Sequence, residues 1–271
     1  MSDIENTNQD SGLAPLSNVT VIDLSRLVSG NMMTHVLADM GAKVIKVESP
    51  GKGDELRSWQ RQGVSTYWAA YARNKDSVCL NLREPDGLDS LKNLLSNADI
   101  LVENFRPGTL EKMGLGRDAL ELINPRLIVV RISGWGQTGL FAERGGFGSL
   151  IEAMSGFASM NGFADRPPVL PPFAMADSVA GIYGASVALA LLHQQKSNQK
   201  PSVKEVDLSL FEPLFSILGP QAAEYQLTGA TTLLAGESLV YQDGVGWQKY
   251  TKFQQQDEKQ IQLLTLLQVQ Q

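Results

Sequence analysis

Ala38-Asp39-Met40-Gly41-Ala42-Lys43-Val44-Ile45-Lys46-Val47-Glu48, followed by Pro50-Gly51-Lys52-Gly53-Asp54, decides the fold. An apolar-faced helix ends at Gly41, where glycine supplies the left-handed cap that stops a helix. A short run of Val and Ile then reads as a buried strand, and a Gly-rich turn closes it. Open α/β sheets bind ligands beyond the C-terminal ends of their strands, which puts Glu48 to Asp54 on the expected working face. As a pattern this is one half of a nucleotide-binding α/β domain.

Working outward, strand and helix alternate along the chain. Strands are expected at Val19–Leu24, Lys43–Val47, Ser77–Leu82, Ile100–Val102, Leu127–Ile132 and Val203–Leu208. Helices are expected at Gly30–Met40, Asp86–Leu95, Ser149–Met154, Ser178–His193 and Glu212–Gln226. Continuous apolar strands between amphipathic helices predict a Rossmann-like, mostly parallel α/β sheet covered on both faces. No internal repeat is visible. Residues 1–15 read as a polar, disordered tail, 16–227 as the large domain, and 228–271 as a divergent Gln-rich segment with too little apolar surface to order itself alone.

Composition narrows the class. The chain has 271 residues, 43% hydrophobic and 19% charged, with a formal net charge of −6. That balance argues against a nucleic-acid or membrane surface, so an anionic ligand needs a local basic site. No run of about 18 uninterrupted apolar residues is seen, so no membrane segment is expected. The first residues lack the basic and apolar regions of a secretory signal. A single cysteine, Cys79, allows no internal disulfide, fits a reducing cytoplasm, and reads as a small buried strand residue. His35 and His193 read as partly exposed helix residues.

Asp177 is the acidic residue to watch. It lies alone among uncharged neighbours in Phe173-Ala174-Met175-Ala176-Asp177-Ser178-Val179-Ala180-Gly181, at the start of a helix. Asp there is a good N-cap. A carboxylate at that place is also a candidate nucleophile, and one residue can be both. Gly134-Trp135-Gly136-Gln137-Thr138-Gly139 spells a glycine fingerprint, but it follows the fifth strand and no helix opens directly after it, so it reads as a flexible loop.

The opening stretch, together with Glu103-Asn104-Phe105-Arg106-Pro107-Gly108, resembles the class III CoA-transferases, the family of formyl-CoA and carnitine CoA-transferases. The resemblance runs from about Leu16 to Ala235. It implies transfer of CoA from an acyl-CoA to a carboxylic acid, with Asp177 on the family's catalytic aspartate, followed by the matching Ser178 and Gly181. It implies a CoA site at Leu80, Asn81, Leu82, Arg83, Asn104, Phe105, Arg106 and Lys112, and an active-site loop at Gly134, Gly136, Gln137 and Gly139 that could supply N–H donors to developing oxyanions. CoA is then substrate, and neither a permanent cofactor nor a metal is implied. Family members form interlocked homodimers. Ser49 stands where some members carry a nucleotide-contacting Arg, and Val28 and Gly148 where formyl-CoA transferase carries polar side chains. α-Methylacyl-CoA racemases share the fold, but Phe147 and Gly148 occupy the places of their catalytic His and Asp. A CoA-thioester-binding fragment without turnover is the remaining alternative.

Overall fold

The computed structural model describes residues 14–162, 166–197 and 200–229, with two short strands beyond them. In chain order the elements are β1 (Thr20–Asp23), α1 (Ser29–Asp39), β2 (Lys43–Glu48), a 3-10 turn (Glu55–Ser58), α2 (Thr66–Tyr71), β3 (Lys75–Cys79), α3 (Pro85–Leu95), β4 (Ile100–Glu103), α4 (Thr109–Lys112) and α5 (Arg117–Ile123). There follow β5 (Ile128–Ser133), α6 (Gly148–Met154), α7 (Phe157–Met160), α8 (Met175–Ser197), β6 (Lys204–Ser209), α9 (Phe211–Ile217) and α10 (Gln221–Thr228). Strands β7 (Leu239–Tyr241) and β8 (Trp247–Lys249) pair antiparallel with each other. The expected disorder of 1–15 and the Gln-rich segment 228–271 lie almost wholly outside the described residues.

Six strands form one sheet in the order β3-β2-β1-β4-β5-β6, and every pairing is parallel. The order reverses between β1 and β4, which makes their C-terminal ends the topological switch point. The strands read as apolar runs because both faces are covered. Val21, Val44, Ile100, Val102, Val130 and Ile132 pack under α1 and α8, while Ile22, Leu101, Leu127 and Val129 pack under α3 and α5. Helices α1 and α8 approach closely because Gly181 has no side chain: a Cβ there would lie 2.8 Å from both Met32 Cβ and the Ser29 carbonyl.

Several boundaries differ from expectation for physical reasons. β3 runs over Lys75–Cys79, not Ser77–Leu82, because it is an edge strand whose pairing with β2 starts two residues earlier. Cys79 is exposed there, not buried. The expected helix Glu212–Gln226 is two helices, since Gly219 turns left-handed at φ +79° and Pro220 cannot donate a helical N–H. His35 is buried on the inner side of α1, edge-on to Tyr71, not partly exposed. Helix α8 opens at Met175, so Asp177 is its third residue and not its N-cap. It is also long and apolar enough, by length and composition alone, to cross a membrane, which corrects the reading that the chain holds no such run; here it packs on α1, α6, α9 and two strands.

Candidate active site

The switch point is built around a strained turn. After β1 the chain turns through Leu27, a non-glycine residue held at φ +61°. Such a residue persists only where its surroundings over-determine it. Asn104, just after β4, does part of this: its Oδ1 accepts the Arg26 N–H at 2.8 Å and its Nδ2 donates to the Arg26 carbonyl at 2.6 Å. Asp54 does the rest. Its Oδ1 accepts the Leu27 N–H at 3.2 Å, and its Oδ2 accepts Asn31 Nδ2 at 2.7 Å. The turn delivers Val28 and Ser29 to the head of α1 and divides two pockets.

The larger pocket, about 590 Å³, opens over the ends of β2 and β3. Leu80, Asn81, Leu82, Arg83 and Phe105 line it, as do Glu48, Ser49, Pro50 and Lys52 from the opening stretch. Arg106 and Lys112 are exposed and do not line it, though Thr109 and Met113 beside them do. Asn104 faces the other pocket. Glu48 is structural: burial pushes its carboxyl up, but hydrogen bonds from Arg57, Ser77 and the Asp54 N–H outweigh this and hold it at about 2. Below the floor lies a buried ionic network. Lys46 Nζ sits 3.2 Å from Asp23 and 3.2 Å from Asp54, and Lys75 Nζ 3.4 Å from Asp23. Burial pulls Lys75 down to about 8 against the attraction of Asp23.

Asp177 lines the smaller pocket, about 390 Å³, with Leu27, Val28, Ser29, Asn104 and Gly148. Gly148 makes room for it, since a Cβ at that position would fall 2.3 Å from Asp177 Oδ2. Burial and the neighbouring charge of Glu152 push the Asp177 carboxyl up to about 6, against hydrogen bonds from the Ser29 hydroxyl and N–H and from its own N–H. A carboxylate that water does not fully stabilise is primed to attack an acyl carbon.

The glycine loop is placed differently from expectation. Gly134 lines the Asp177 pocket and crosses Gly146 so tightly that a Cβ would lie 2.3 Å from the Gly146 Cα. Gly136 and Gly139 take φ of +90° and +91°, conformations suited to glycine. The Gln137 N–H, however, is bound to both carboxylate oxygens of Asp207, at 2.8 and 2.9 Å, so it is not a free oxyanion donor in this structure. Gly136, Gln137 and Gly139 stand outside the pocket wall. Sequence reading passed over four contributors: Trp59 and Tyr67, whose rings meet edge-on at 5.3 Å, the buried Glu152, and the wall Leu170–Phe173. Only Glu152 left a signal, as a lone charge inside an apolar helix. Among the described residues no group of three His, Cys, Asp or Glu side chains could hold a metal ion.

A doubly wound parallel sheet with a half-buried carboxylate beside its switch point defines an α/β ligand-binding class, and comparison narrows it. The model of CoA-transferase family III matches residues 16–266, beyond the Ala235 at which the sequence resemblance was drawn to a close. The chain belongs to that family. It is 44% identical over 218 residues to succinyl-CoA–D-citramalate CoA-transferase of Chloroflexus aurantiacus, covering 79% of this chain and 54% of that protein. It is 35% identical to succinate–glutarate CoA-transferase of Agrobacterium fabrum, covering 83% and 58%. A CaiB/BaiF family protein from Brucella suis superimposes with a TM-score of 0.78 at 33% identity, covering 83% of this chain and 60% of that one. The chain spans about half the length of the curated relatives it matches.

Proposed function

We propose that this chain carries the catalytic half of a CoA-transferase that moves CoA between carboxylic acids through a covalent intermediate on Asp177. One observation carries the reading: Asp177 stands half-buried on a pocket wall beside the switch point, its carboxyl pushed up to about 6. The larger pocket, with Arg83 and Phe105 on its wall, takes the nucleotide end of CoA. Asp177 attacks the thioester carbonyl and the CoA thiolate leaves, giving an aspartyl-acyl anhydride. The thiolate attacks the aspartyl carbonyl and frees the donor acid, leaving an aspartyl-CoA thioester. The acceptor carboxylate then repeats the sequence in reverse and restores Asp177.

The names of the relatives make succinyl-CoA and other short dicarboxylic CoA thioesters the first donors to try. The racemase reading finds less support. Neither histidine lines the pocket, His35 being buried beside Tyr71 and His193 exposed near the end of α8. The fragment reading draws on the chain's half-length match to its relatives. A homodimer is supported by apolar side chains left exposed on α8 and α9, and a reducing cytoplasm suits the single exposed Cys79. Incubation with succinyl-CoA, proteolysis and mass spectrometry should show a hydroxylamine-sensitive acyl or CoA adduct on Asp177, absent in Asp177→Asn. CoA binding by calorimetry with no adduct from any short acyl-CoA would favour the binding fragment instead.

A further inference from the structure

The first turn of a helix leaves backbone N–H groups that need acceptors, and an Asp in that turn ordinarily supplies one. Helix α8 has such an Asp and uses it only in part. The Met175 N–H donates to the Phe173 carbonyl at 2.8 Å and the Ser178 N–H to the Ala174 carbonyl at 3.0 Å. Asp177 receives its own N–H and those of Ser29. The remaining group, the Ala176 N–H, donates 3.1 Å across to Oε1 of Glu152 on α6. Glu152 is 3% exposed, lines the same pocket as Asp177, and lies one helical turn beyond Gly148. One face of α6 therefore does two things: Gly148 leaves space for the Asp177 carboxylate, and Glu152 takes the N–H that would draw that carboxylate back onto its own helix.

We propose that Glu152 is the positioning residue of this site, capping α8 from outside so that Asp177 is held toward Ser29 and the pocket. The role matters because a carboxylate folded back on its helix end would be both better stabilised as an anion and turned from the acyl carbon. The charge of Glu152 adds to this by opposing ionisation of Asp177. The other charged groups on elements packed against α8 are His35 and Asp39 on α1, Arg131 on β5, Lys204, Glu205 and Asp207 on β6, and Glu212 on α9. Of all these, Glu152 is the one that acts on Asp177.

That Asp177 reacts rests on the transferase reading; that Glu152 places it does not, and the experiment separates the two. Carboxyl-carbon NMR of the full chain, with Asp177 assigned by its loss in Asp177→Asn, follows its titration without any substrate. Glu152→Gln keeps the acceptor and removes the charge, so the Asp177 midpoint should fall by about one unit from near 6 with no change in Ala176 amide exchange. Glu152→Met keeps the volume and removes the acceptor, so Ala176 exchange should quicken at least about tenfold. Acyl trapping on Asp177 should slow in Glu152→Met with the half-saturating succinyl-CoA concentration unchanged, and Glu152→Gln should restore it. An unmoved Asp177 midpoint in Glu152→Gln overturns the proposal, and so does unchanged Ala176 exchange in Glu152→Met. If Glu152→Met does not fold, the Glu152→Gln titration decides alone. A wild-type chain that traps nothing, yet shows the titration and exchange effects, would retain the positioning role and lose the transferase reading.

Discussion

At the scale of the residue, Asp177 sets activity and stability against each other. Its carboxyl titrates at about 6 in the folded chain, above the ordinary 3.8. A group raised on folding stabilises fully below its unfolded pKa and loses that contribution as pH climbs through the folded one. The chain should therefore lose stability between about pH 4 and 6 on this account. Asp177→Asn removes the ionisable group, so at pH 8 it should be more stable than the parent by roughly 1–3 kcal/mol, and at pH 4 about equal. Melting curves at the two values check this, and an Asn variant less stable at pH 8 would refute it. Reactivity runs the other way. The attacking form is the carboxylate, so adduct formation should rise with pH through about 6 and level off above 7. The sequence placed Asp177 at a helix start but could not show which group caps the helix. Capping from α6 depends on how two helices meet, and no local spacing encodes that.

Among the elements, the packing of α1 on α8 is what brings Ser29 to Asp177. Gly181 sits in the middle of α8 with Met32 Cβ and the Ser29 carbonyl each 2.8 Å from where a Cβ would be. Gly181→Ala gains about 1 kcal/mol of helix propensity. It also forces a methyl against a backbone carbonyl that cannot move without shifting α1, an overpacking cost of about 1–3 kcal/mol. The net expectation is a lower urea midpoint with an unchanged slope, and slower acyl trapping because Ser29 is displaced. A raised midpoint would show that the helices can part freely. Elements were legible where burial wrote an apolar period into the chain: β1, β2, β5, α1 and α3 were all read within two residues. Short α2, α4 and α5 were not. Helix α2 has no buried residue and stands on its Ser65 cap, whose hydroxyl accepts the Trp68 N–H, so it carries no apolar stripe to read. The same blindness hid Trp59 and Tyr67, which reach the pocket from this surface segment.

Over the whole molecule, charge and apolar surface are arranged by the sheet. Asp23, Lys46, Lys75 and Asp54 join the ends of three strands in a buried network, with Thr34 donating to Asp23 at 2.5 Å. Removing one partner strands the others without water. Asp23→Ala should thus cost about 3–5 kcal/mol, far more than a surface ion pair, and a loss under 1 kcal/mol by denaturant titration would show the network to be wet. The outer face of α8 poses the opposite problem. Ile182 is 48% exposed, Tyr183 43%, and Ile217 of the adjoining α9 51%, with the Tyr183 hydroxyl tied to Ser216 at 2.9 Å. Apolar side chains grouped on neighbouring helices favour burial against a second surface. A second copy of the chain is the occupant that the resemblance implies, and burial of such side chains couples folding to association. Sedimentation at micromolar concentration should show a monomer–dimer equilibrium. Ile182→Glu would place a charge in the middle of the contact, where desolvation is costly, and should weaken association at least about tenfold while leaving CoA binding intact. An unmodified chain that stays monomeric at tens of micromolar would exclude this face as a self-contact.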